Sequence, residues 1–142
     1  MKNRTYAKRK LFLVVVASVE ALTGLGLLVL PSLPLALLLG LESPTVDTLL
    51  VGRIAGAALL AIGIASWVAR ADEPCSSLVG LLTGLSIYNA AVSGLLLYAG
   101  TMLKMNGGLL WPTIAFHAAL AIWGGLLVRS IRDDLPGAVQ DS

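Results

Sequence analysis

The chain is predicted to be all-α, a four-transmembrane-helix bundle with a short interfacial segment after the first helix. Three observations lead there. Four stretches are apolar over about 20 residues, the length that crosses a hydrocarbon core of roughly 30 Å. Hydrophobic residues make up 57% of the 142 residues and charged residues 13%, about half the charged share of a soluble domain. The alternating pattern of a membrane barrel strand is missing, so each span must close its own backbone hydrogen bonds as a helix. With a mean hydropathy of +0.88, the whole chain reads as one integral membrane domain.

The first span runs from about Leu11 to Leu30 and is stopped by Pro31 and Pro34. The second runs from about Leu49 to Ala69, and Asp72, Glu73 and Pro74 break the chain after it. The third runs from about Ser76 to Ala99, before a turn at Lys104, Asn106, Gly107 and Gly108. The fourth runs from about Gly108 to Val128, and a polar tail begins with Asp133, Asp134, Pro136 and Gly137. Between the first two spans, Pro31–Ser43 is apolar but too short to cross. Two readings of it stand: a connector in the interface, or a lid over a cavity. Trp111, followed by Pro112, and Trp67 read as interface anchors.

Placement of charge predicts orientation. Lys2, Arg4, Lys8, Arg9 and Lys10 open the chain, and Arg70, Arg129 and Arg132 fall on the same side. The other side holds Lys104, with Arg53 close to it. Both termini are therefore expected in the cytoplasm of a cell whose inner membrane holds the protein. A secretory signal with cleavage at Val19-Glu20-Ala21 competes, but the apolar run continues to Leu30 and is long enough to anchor. The basic cluster suits anionic headgroups, and no nucleic-acid partner is expected. One cysteine, Cys75, makes neither an internal disulfide nor a metal cage.

Small residues mark where helices approach in lipid. Gly52 and Gly56 form a GxxxG, and Ala57, Ala61, Ala65 and Ala69 continue it, which predicts the second span at the centre of packing. Gly80, Gly84, Ala90 and Gly94 mark the third span, and Ala115, Ala119, Ala121 and Gly125 the fourth.

Glu20 and Arg53 are the charged residues within the spans. Each costs about 2.5 to 3.5 kcal/mol at mid-membrane, so each is a functional candidate. Counting residues from the span ends puts Glu20, Tyr88, Asn89 and His117 at similar depth and Arg53 shallower. These five are the candidate ligand or polar-cluster residues, with Arg53 expected to close the outer side. Against this, Glu20, Tyr88 and Asn89 would serve as interhelical hydrogen-bonding glue, and Arg53 would snorkel outward. No catalytic set, metal set or cofactor motif is recognisable: one histidine cannot give both axial ligands of a bis-histidine haem, and no phosphate loop or serine–histidine–carboxylate order is found.

The layout resembles small four-helix bacterial membrane proteins of the DoxX-like type. The likeness rests on "LPSLPLALLLGLES" from Leu30, "RIAGAALLAIGIASWVAR" from Arg53, Tyr88-Asn89, and "WPTIAFH" from Trp111 to His117. Some members of that group are regarded as membrane partners of redox enzymes, sometimes in quinone-linked electron transfer, and most have no assigned activity. The resemblance carries over no catalytic residue. Three functions are thus expected in turn: a non-enzymatic accessory or scaffold subunit, a small oligomeric transporter or proton-linked carrier using Glu20 and His117, and a quinone-linked redox accessory. The expected partners are the lipid bilayer and either further copies or a membrane partner subunit.

Overall fold

The computed structural model describes residues 2–134, with side chains described for residues 6–132. The tail read at Pro136 and Gly137 lies outside the described residues, as do the side chains of Lys2, Arg4, Asp133 and Asp134. The described chain is all helix: α1 (Lys2–Val29), α2 (Ser32–Leu39), α3 (Val46–Ala69), α4 (Ser76–Thr101) and α5 (Leu110–Asp134). Four of these are long and apolar enough to cross a membrane, and α2 is the short segment after the first.

The breaks follow local chemistry. Leu30 and Pro31 end α1, because proline offers no N–H to continue the ladder. Pro34 then sits in the first turn of α2, where a missing N–H costs nothing. Gly40 closes α2 in the left-handed conformation at φ 72°, donating its N–H to the Ala36 carbonyl at 2.9 Å. Thr45 caps α3 by accepting from the Thr48 N–H at 3.3 Å, and Asp47 complements the helix dipole there.

The long helices form two antiparallel pairs, α1 with α3 and α4 with α5, which meet chiefly along α1 and α5. Backbones touch in the α1–α3 pair. A Cβ built on Gly24 would meet the Gly56 carbonyl oxygen at 2.7 Å, and one on Gly63 would meet the Ala21 nitrogen at 2.8 Å. Between the pairs, large side chains set the spacing. Phe12, Leu13 and Val16 of α1 pack with Leu78, Leu82 and Leu85 of α4 and Leu120, Leu127 and Ile131 of α5. Phe12 meets Trp123 edge-on at 5.4 Å between centroids. All of these lie in the half of the bundle nearer the termini.

Three sequence expectations need correction. The second span is not the centre of packing: α3 packs closely on α1 alone. Its buried face is Gly52, Gly56, Gly63, Ser66 and Ala69, while Ala57, Ala61 and Ala65 are exposed. A stripe that starts one residue later is turned by about 100° around the helix, so only one of the two can face α1. The small residues of α4 and α5 also point outward, since a Cβ on Gly80, Gly84, Gly94 or Gly125 would meet nothing within 4 Å. In their place, Gly124 packs against Phe12 and Ser86. Arg9 departs from the reading of the N-terminal charges as lipid-facing. It is 1% exposed, and its guanidinium donates to the Asp72 carbonyl at 2.5 Å, tying α1 to the α3–α4 turn.

Candidate ligand-binding cavity

The half of the bundle away from the termini lacks such a core. There the two helix pairs border an open-sided cavity of about 750 Å³. Its walls are Leu27 of α1, Leu59 of α3, Val92 and Leu96 of α4, Leu109 of the α4–α5 turn and Phe116 of α5, and its roof is α2 through Leu33, Pro34, Leu37 and Leu38. Glu20, Tyr88 and His117 are its polar lining toward the middle of the bundle, with Thr23 one helical turn above Glu20 and Thr113 one turn above His117.

Helix α2 covers this space half-buried, with Pro34 beside Gly26 of α1 and Leu35 beside Gly52 of α3. It contains no buried residue and no polar face, so its outer side is apolar. What seats it is backbone: the Leu109 N–H donates to the Leu37 carbonyl at 2.9 Å. Buried Gly107 lies so close to the backbone of Leu37 and Leu38 that a Cβ there would overlap them. Of the two sequence readings of Pro31–Ser43, the geometry is that of a covering segment.

The floor joins three helices. The Tyr88 hydroxyl donates to Glu20 Oε2 at 3.1 Å, linking α4 to α1. His117 Nδ1 lies 2.7 Å from Asn89 Oδ1, linking α5 to α4, and Asn89 Nδ2 donates to the Leu85 carbonyl at 2.7 Å. Because Asn89 uses its amide donor on the backbone, its oxygen accepts, and His117 carries its proton on Nδ1. The remaining nitrogen, Nε2, is then an acceptor on a residue that lines the cavity. The Tyr88 and His117 rings meet edge to face at 6.2 Å, and Phe116 flanks His117 at 5.9 Å. Glu20 is 2% exposed, and its Oε1 has no hydrogen-bond partner.

Of the five residues singled out by depth, four therefore lie together and one does not. Arg53 is exposed and does not line the cavity. It belongs to the face of α3 turned from α1, so its side chain points away from Glu20. No ion pair forms among the described residues at Glu20; its partner is Tyr88. Sequence reasoning missed Thr23 and Phe116 as lining residues. Thr23 was findable, standing three residues from Glu20 on the same face.

The fold and this site define a small multi-pass membrane protein with a covered cavity and a polar floor. No protein-family model matches the chain, and neither a curated protein nor a solved structure matches it.

Proposed function

We propose that the protein is a non-enzymatic membrane protein that holds a lipid-soluble small molecule with one polar end in the cavity beneath α2. The observation that carries this reading is Glu20 Oε1, buried without a partner on a residue lining an otherwise apolar space. An unsatisfied buried acceptor costs about 1–3 kcal/mol, which a ligand's donor relieves. The volume suits a drug-sized molecule. In the proposed orientation both termini are cytoplasmic at the inner membrane. Lys8, Lys10, Arg70, Arg129 and Arg132 then face inward, and the roof faces outward. Reporter fusions at the N-terminus and at Lys104 check this, and an exported N-terminus would contradict it.

Thermal unfolding of the purified protein against a panel of small amphiphiles tests the binding reading. Occupancy at 100 times Kd is expected to stabilise it by about 2.7 kcal/mol. Val92→Trp, which puts an indole into the cavity, should reduce the shift, while tryptophan at exposed Val68 should not. Equal shifts in all three proteins would refute a cavity ligand. A second reading, an accessory subunit for a membrane partner, is favoured by the outward Ala57, Ala61 and Ala65 stripe.

A further inference from the structure

We propose that the cavity's ligand is a lipophilic cation, bound at Glu20 in exchange for a proton. This rests on the cavity being a binding site and deepens that reading. Three features carry it.

The first is the carboxyl itself. Tyr88 uses one oxygen, and the other, Oε1, is buried without a partner. The second is the absence of a counter-charge. The polar groups that share the cavity with Glu20 are Thr23 from its own helix, Tyr88 from α4 and Thr113 and His117 from α5, while α2 and α3 contribute Leu33, Pro34, Leu37, Leu38 and Leu59. No lysine or arginine lines the cavity, and the deepest candidate, Arg53, faces away. An isolated carboxylate in apolar surroundings is strongly disfavoured, so Glu20 holds either a proton or a cation. The third is aromatic. Tyr88, Phe116 and His117 line the same space, and ring faces attract a desolvated cation. The walls are otherwise aliphatic, which selects a cation with an apolar body over a hydrated ion. His117 donates from Nδ1 to Asn89 and remains the neutral acceptor beside the pair.

Proton and cation compete for one carboxyl. While Glu20 is protonated in the free protein, each cation bound releases one proton, and affinity rises up to about tenfold per pH unit. The lateral side between α3 and α4, where the helices do not pack closely, lets such a ligand exchange with the bilayer.

The probes are tetraphenylphosphonium, its anionic counterpart tetraphenylborate, and neutral triphenylmethanol, measured by calorimetry on the full chain in detergent. Tetraphenylphosphonium should bind more tightly as pH rises, and weakly buffered samples should show one proton released per cation. Glu20→Gln should weaken cation binding by about 30-fold or more, and Glu20→Asp should retain part of it. If Glu20→Gln fails to fold, the pH dependence and proton release of the unaltered protein decide. Triphenylmethanol binding as tightly as the cation, at every pH and without proton release, would overturn the cation while leaving the cavity a binding site. Failure of all three probes to distinguish the unaltered protein from Val92→Trp would overturn both.

Discussion

Leucine in place of Gly56 is expected to abolish the folded protein, whereas leucine in place of Ala61 leaves it intact. A Cβ on Gly56 would lie 2.7 Å from the Gly24 carbonyl oxygen and 2.9 Å from the Leu28 nitrogen. Both are backbone atoms, so no side-chain rotation relieves the overlap, and α1 must move away from α3. Overpacking a fixed contact costs roughly 1–3 kcal/mol even where side chains yield; here the larger figure or more is expected. In lipid, little hydrophobic force would restore the pair, because its attraction comes from close packing. Ala61 is exposed on the same helix. Monodisperse yield by size-exclusion chromatography separates the two variants. Equal loss in both would mean that α3 packs on a different face. Retained folding with a smaller assembly for Ala61→Leu alone would place a partner on the alanine stripe.

The second large effect is expected at Gly107. A valine there overlaps the backbone of Leu37 and Leu38, so α2 must leave its seat and the Leu109–Leu37 hydrogen bond must open. None of the residues of α2 is fully buried, and its remaining supports are Pro34 beside Gly26, Leu35 beside Gly52 and Gly40 beside Asn106. Amide exchange at Leu109 and along Ser32–Leu39 should accelerate at least tenfold, which about 1.4 kcal/mol of lost anchoring produces. Exchange at Leu82 and Leu85, in the core nearer the termini, should not change. Acceleration spread evenly over α4 and α5 would show that Gly107 supports the whole bundle and not the roof.

Which parts of this architecture can be read from residues alone has a physical explanation. The four spans and the proline breaks are legible because length and hydropathy answer directly to bilayer thickness. The common depth of Glu20, Tyr88, Asn89 and His117 is legible because helix rise converts residue count into height. Rotation about each helix is not. In a soluble bundle the apolar stripe points inward, but in lipid both faces are apolar. The Gly56 and Ala57 stripes therefore look alike until α1 is placed, and the partner Gly24 stays unnoticed. Arg53 shows the same limit, since its depth left open which way it turned. Arg9 shows another: a charge in a basic N-terminal cluster reads as solvated, yet the Asp72 carbonyl holds it inside.

The central claim is that α2 roofs a cavity whose floor is built by Glu20, Tyr88, Asn89 and His117. An experimental density map of the protein in a lipid nanodisc tests it most directly. The account predicts Ser32–Leu39 lying across the end of the bundle, with space or non-protein density between Leu37 and Leu38 above and Glu20 and His117 below. Leu37 and Leu38 packed directly onto Tyr88 and His117, or Glu20 turned into lipid, would contradict it.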